Sequence, residues 1–440
     1  MLTSGLAFVF VLGVLIFVHE LGHYVMARRI GVRVLTFSLG FGPKIVNVRR
    51  GDTDYCISAI PLGGYVKMAG ETAEDERTGA EDEFLSKSKW QRFQVLVAGP
   101  IMNILLAIVV LAVVLYQGAD VPAYEQQVPI VGRVTEGSAA ERAGILPGDR
   151  IVNIADRTVE TWEQVFMAIL PKANREVRIV VRRDGEDRRL NVTPDAQTKY
   201  EIGDLGVLPE IHPQVLEVVP GEPADEAGLL KGDVILAVND RMGVSREALI
   251  EVIKANENRP IVLHVRRGDA ALDVPVTPRR KGDIAIIGAN LSHLELRTIE
   301  PGPIQAVQMS LARNWDWSTL IFQTLVGLFT RETSVKQLMG PVAIAELSGG
   351  AAQLGWIALF NLMAMISLNL GLLNLMPIPV LDGGHITIMA FEGLARRDFS
   401  MRVKEKLLMV GFVVLLMLMV TVIYNDLTRV QWIENLMFWR

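Results

Sequence analysis

Phe17-Val18-His19-Glu20-Leu21-Gly22-His23 places two imidazoles and a carboxylate inside the otherwise apolar run Gly5 to Met26. Ionisable groups are expensive in hydrocarbon and mark function where they occur. Residues four apart share one face of a helix, so His19 and His23 can turn both rings toward a single ion with Glu20 beside it. H-E-x-x-H is the zinc-hydrolase pattern. Neutral imidazoles ligate Zn²⁺, a third protein group completes the set, and the remaining position takes a water whose pKa falls to about 7. The stretch therefore predicts one zinc ion per chain and Glu20 as the base that accepts the water's proton.

Outward from this motif, the run is long enough to cross about 30 Å of hydrocarbon at 1.5 Å per residue. It lacks a basic n-region and a small-residue cleavage site, and reads as a retained span rather than a signal peptide. Arg28, Arg29 and Arg33 follow it, and Lys87, Lys89 and Arg92 precede the next apolar run, Ala98 to Gln117. The positive-inside rule makes the intervening residues 28–97 cytoplasmic. Within them Thr36 to Pro43 and Ile57 to Lys67 mix β-formers with Gly40, Gly42, Gly63 and Gly64, a strand-and-turn signature. Irregular backbone at membrane depth is tolerated where it lines a wet cavity. A re-entrant β-hairpin beside the metal is the expectation, with those glycines contacting substrate.

The whole chain of 440 residues is 50% hydrophobic, concentrated in a few runs, with a net charge of −5 and no basic stripe. That composition fits a membrane protein and gives no support for nucleic-acid binding. Cys56 is the single cysteine, so no intramolecular disulfide can form.

After residue 117 the chain repeats itself. Gly137, Ala140, Ala143, Gly144, Gly148, Asp149 and Ile151 recur 84 positions later as Gly221, Ala224, Ala227, Gly228, Gly232, Asp233 and Ile235, and Arg183 recurs as Arg267. Each unit reads as strand, short helix, Gly-Asp turn, strand, longer helix (Trp162 to Leu170; Arg246 to Ala255) and two strands. The block A-x-x-A-G-(I/L)-L-x-G-D resembles PDZ domains, α+β modules that bind an extended peptide at a sheet edge. The resemblance places the units at 124–210 and 211–292. It makes Leu205-Gly206-Val207 and Ile287-Gly288-Ala289 the peptide-binding loops, in circularly permuted order.

Residues 293–353 are expected to form amphipathic helices on the outer membrane surface, because Arg313 and Asp316 interrupt the apolar stretch Pro303 to Thr330 and a span there would put Arg396, Arg397, Arg402, Lys404 and Lys406 outside. The third span is 354–383 and ends in Asn374-Leu-Met-Pro377-Ile-Pro379-Val-Leu-Asp382-Gly-Gly384. Its prolines break the helix, and broken helices line sites in membrane proteins. A cytoplasmic loop, 384–406, a fourth span, 407–424, and an outer tail, 425–440, follow. The expected fold is a polytopic α-helical membrane protein of four transmembrane helices, with the β-hairpin and two tandem PDZ domains.

H-E-x-x-H in the first span, the Gly-Phe-Gly-Pro loop, N-x-x-P-x-P-x-L-D-G-G in a later span and the tandem units between spans two and three together resemble the site-2 proteases. The resemblance implies that His19, His23 and Asp382 ligate zinc, that Glu20 is catalytic, and that Asn374, Pro377 and Pro379 wall the substrate site. It implies cleavage within the membrane segments of single-span proteins, an anti-sigma factor or remnant signal peptides, in the lipid bilayer of a bacterial inner membrane. The tandem units and both termini would then be periplasmic. Two other readings stay open: an idle PDZ scaffold, which has no use for Glu20, and an anchored metallopeptidase acting on soluble peptides.

Overall fold

In the computed structural model, residues 2–71, 78–198, 201–282, 284–330 and 333–428 are described. They form two compact units. One comprises the chain up to Gln117, Glu300–Leu325 and the chain from Leu338; the other is Gly118–Ile299 with Val326–Gln337.

The first unit begins with α1, Leu2–Arg29, which closes on Arg28 and Arg29, cations that suit a helix C-terminus. An antiparallel hairpin follows, β1 (Val34–Arg50) and β2 (Thr53–Met68). Its base is anchored: Val34, Phe37, Val66 and Met68 pack with Ala27, Phe84 and Val95. The register shifts repeatedly between Leu39 and Val46, where Gly40 and Gly42 take positive φ. Beyond it Phe41, Ile45, Val46, Val48, Ile57 and Ile60 are exposed. The second long helix, α2, spans Lys89–Tyr116. It starts nine residues before the apolar run because Ser88 and Gln91 form a reciprocal capping box.

The second unit holds the tandem repeats. The first contains α3 (Ala139–Arg142) and α4 (Trp162–Ile169), the second α5 (Pro223–Glu226) and α6 (Arg246–Ala255). Each has a four-stranded sheet in the same order. In the first, Arg157–Thr158, Arg150–Ile154, Val177–Arg183 and Glu186–Val192 are neighbours in that sequence; in the second, Arg241–Met242, Val234–Val238, Ile261–Arg267 and Ala270–Val276. Each encloses its own core, one around Trp162, Ile151 and Ile179, the other around Ile235, Leu249 and Leu263. Ala119–Pro122 pairs antiparallel with Leu296–Ile299, so the start and end of the insertion lie side by side. That strand corrects the helical expectation for 293–299, whose alternating Leu296-Arg-Thr-Ile299 suits a sheet.

Returning to the helices, α7 is Pro303–Phe329. Ala306, Met309 and Trp317 pack with Val11, Leu15, Val110, Leu111, Leu115 and Met363, and Ser310 Oγ donates to Ile108 O at 2.7 Å. This part of α7 joins the bundle two turns inside the end of α2, where a helix lying wholly on the surface was expected. Small and polar residues at i, i+4 and i+8 (Ala306, Ser310, Asn314) permit the close approach. Next come α8, Pro341–Leu354, and α9, Trp356–Asn374, separated by Gly355 at φ 114°. The third span thus starts at Trp356. The final helices are α10, Asp382–Leu394, and α11, Met401–Thr428. The two helices therefore occupy most of the expected loop 384–406, and α11 overruns the expected span at both ends. Of the expected tail, 429–440 lies outside the described residues.

Among the described residues four helices are long and apolar enough to cross a membrane: Thr3–Arg29, Lys89–Tyr116, Trp356–Asn374 and Arg402–Thr428.

Candidate active site

The site forms where α1, α2 and the start of α10 converge. Gly22 and Gly99 let α1 and α2 touch. A Cβ on Gly22 would stand 2.5 Å from Ala98 O, and one on Gly99 would stand 2.2 Å from His23 Nε2. Asp382 arrives by a different route. Pro377 and Pro379 cannot donate backbone hydrogen bonds, so α9 stops at Asn374 and the chain turns irregularly before Asp382 opens α10. This separates Asp382 from the third span, whose end it was expected to mark. The turn is tight: Val380, β-branched, is held at φ 90°, a conformation that costs of order 1–3 kcal/mol and clusters at functional sites. Gly383 and Gly384 fit under it, since a Cβ on either would stand 2.3 or 2.2 Å from the carbonyls of Leu375 and Ile378. At the far end of α10, buried Glu392 accepts from Lys404 Nζ at 2.7 Å and Phe399 N at 2.9 Å, fastening α10 to α11.

His19 Nε2, His23 Nε2 and Asp382 Oδ2 meet at one point. The nitrogens are 3.2 Å apart, and the carboxylate oxygen lies 3.3 and 3.5 Å from them. Donors 2.0–2.1 Å from a tetrahedral ion stand about 3.3–3.4 Å from one another, so the three spacings fit a zinc ion. Proton placement agrees. His23 Nδ1 lies 2.8 Å from Val95 O, and a carbonyl only accepts. Nδ1 therefore carries a hydrogen, which in the neutral ring leaves Nε2 as the lone pair available to a metal. Among the described residues this is the one His/Cys/Asp/Glu group with metal-holding geometry.

Glu20 is buried beside these donors. Gly64 brings β2 against it, because a Cβ there would meet Ile16 at 2.8 Å and Glu20 Cγ at 3.0 Å. Asn374 Nδ2 lies 3.5 Å from His19 Nε2. The structure thus gathers Asn374 and Gly64 to the donor set. Gly40 packs on the Ile60 and Ser58 carbonyls, Gly42 nearest the Ile60 side chain and Gly63 under the Phe41 ring, while Pro379 meets α11 at Gly411. Leu205-Gly206-Val207 and Ile287-Gly288-Ala289 belong to the other unit. Their central glycines share φ 73° and 75°, and Leu205 O and Ile287 O accept from Ala140 N and Ala224 N.

Sequence reasoning found α2 as a span but missed its part in the site. Val95 O and Asn103, whose Nδ2 is placed 3.3 Å from His19 Nδ1, both face the imidazoles. The available signal was Asn103 itself, an amide in an otherwise apolar run.

The profile of peptidase family M50 matches residues 7–418. The chain is 34% identical to the regulator of sigma-E protease RseP of Salmonella typhimurium over 449 residues, covering 96% of this chain and 98% of that protein. It is 33% identical to protease RseP of Yersinia pestis over 455 residues, covering 97% and 99%. Identity to the regulator of sigma-E protease RseP of Escherichia coli is 32% over 447 residues, covering 96% and 98%. The chain belongs to peptidase family M50 and is an intramembrane zinc metalloprotease.

Proposed function

We propose that His19, His23 and Asp382 hold the zinc, that Glu20 is the general base, and that the substrate is the membrane segment of a single-span protein. The convergence of three donor atoms at tetrahedral spacing, with a buried carboxylate alongside, supports this reading. When bound, zinc supplies Lewis acidity that lowers the pKa of water and polarises the scissile carbonyl. Glu20 takes the proton of the attacking water and passes it to the leaving nitrogen. The Asn374 amide donates toward the oxygen on which charge develops. An intact helix bonds its carbonyls internally, so substrate must open locally. The two-stranded sheet of β1 and β2 offers unpaired edges for the opened strand, and its exposed apolar tip suits a re-entrant hairpin in lipid.

The relatives are named regulators of sigma-E; from that context we infer an anti-sigma factor as substrate and the bacterial inner membrane as the location. In this reading the tandem units are PDZ domains facing the periplasm, as do both termini, and residues 28–97 face inward. They filter substrates by the bulk of the outer domain. A variant lacking residues 128–280 should still cut pre-trimmed substrates and gain activity on untrimmed ones. The primary test is Glu20→Gln in purified protein: zinc stays bound and cleavage stops. Undiminished proteolysis in that variant would sink the mechanism.

A further inference from the structure

We infer that Asn103 is a positioning residue for His19, and that its side-chain carbonyl is the group facing the ring. This rests on the assignment of His19, His23 and Asp382 as the zinc ligands. His19 directs Nε2 at the same point as His23 Nε2 and Asp382 Oδ2. Its other nitrogen, Nδ1, then carries the ring hydrogen and needs an acceptor. His23 solves the same problem with Val95 O, eight residues and about two turns before Asn103 on α2. The Asn103 amide is the polar group at His19 Nδ1, 3.3 Å away.

With the amide nitrogen turned to the ring, two donors oppose one another, and Oδ1 lies buried with no hydrogen-bond partner among the described residues. Oxygen and nitrogen of an amide are distinguished by the bonds they make. Exchanging them gives Nδ1–H···Oδ1 and gives the stranded acceptor its donor. The residue is well placed to hold a ring still. Asn103 is 0% exposed, its backbone carbonyl accepts Ser367 Oγ of α9 at 2.7 Å, and its Cβ faces Gly371, where an added Cβ would stand 3.4 Å away. A hydrogen bond of this kind fixes the tautomer and raises the basicity of the ligating nitrogen; losing it costs about 10–100-fold in metal affinity. The Nδ1 atoms of both histidines would thus be held from α2.

The test measures zinc dissociation constants by chelator competition on the full-length protein in detergent, for the parent, Asn103→Asp, Asn103→Leu and His19→Ala. Aspartate keeps an acceptor and has no amino group; leucine keeps the volume and has neither. Asn103→Asp should bind zinc as tightly as the parent or more tightly. Asn103→Leu should bind about 10–100-fold more weakly with an unchanged unfolding temperature. Equal weakening of both variants, or parental affinity in Asn103→Leu, overturns the inference. Parental affinity in His19→Ala instead defeats the ligand assignment on which it stands.

Discussion

In the tandem repeats the largest fully buried side chains include Trp162, Ile151, Ile179, Ile235, Leu249 and Leu263, whereas the helical unit buries Glu20, His23, Asn103, Ser310, Asn314 and Ser367 alongside its aliphatics and leaves Phe10, Val109, Phe412 and Met417 exposed. The repeats follow the rule for water, where apolar area leaves solvent at about 25 cal/mol per Å². For helices in lipid that term gives little, because the surrounding tails are as apolar as leucine. Helices then associate through close packing and hydrogen bonds, and their interior is free to hold ionisable groups. Half of the apolar stretch of α2 is buried and only 11% of that of α11, and α2 meets both histidines at Nδ1.

The contrast predicts that interior substitutions damage chemistry in one unit and folding in the other. Glu20→Gln should lower turnover about 10²–10⁴-fold while the unfolding temperature holds; a parallel fall in stability would make Glu20 a structural residue. Trp162→Ala should cost the first repeat about 3–5 kcal/mol, read as protease cleavage within 124–210 at lower denaturant, with the second repeat still resistant. Simultaneous loss of both would show that the two cores, separate in structure, melt as one.

A finer test uses the pairs that recur in both repeats. Arg183 donates to buried Asp149 at 2.6 and 2.7 Å, and Arg267 to buried Asp233 at 2.7 Å twice. Burial pushes each carboxyl up, but the guanidinium and a backbone N–H outweigh it and hold both below the usual range. A depressed carboxyl pKa stabilises the fold above the unfolded value of about 3.9, and that stability disappears as pH falls through the lower folded value. Asp149→Asn should therefore weaken the first repeat at pH 7 and progressively less below about pH 4. A deficit independent of pH would mean that the hydrogen bonds, not the charge, matter. Smallest of all, Ser310→Ala removes the bond to Ile108 O and should cost about 0.6 kcal/mol, the average for polar contacts between membrane helices; a cost of several kcal/mol would blur the contrast between the units.

Sequence legibility divides along similar lines. The repeat was visible because a Gly-Asp turn and an Arg-Arg pair recur at one fixed offset. The donor residues were visible because a charge in an apolar run has few excuses. Asn103 escaped notice because an uncharged amide in a 28-residue helix carries no periodicity, and its role arises only where Gly22 and Gly99 bring two helices together. The course of α7 was hidden for the opposite reason: Arg313 and Asp316 dominated its reading, while the small residues that seat it among its neighbours are unremarkable in composition. The opening of α10 at Asp382 depended on the Val380 turn, whose strained backbone no local propensity favours.

The pairing of Ala119–Pro122 with Leu296–Ile299 also bears on ancestry. Opposite residues such as Ala119 and Ile299 lie only about 5 Å apart across an antiparallel pair. An in-frame excision between them needs only a short turn to rejoin the chain, and the entropy of closing such a loop grows slowly with its length. Repeats could thus be gained, doubled or shed in single recombination events without threading new chain through the helices, and the 84-residue duplication reads as the trace of one such event.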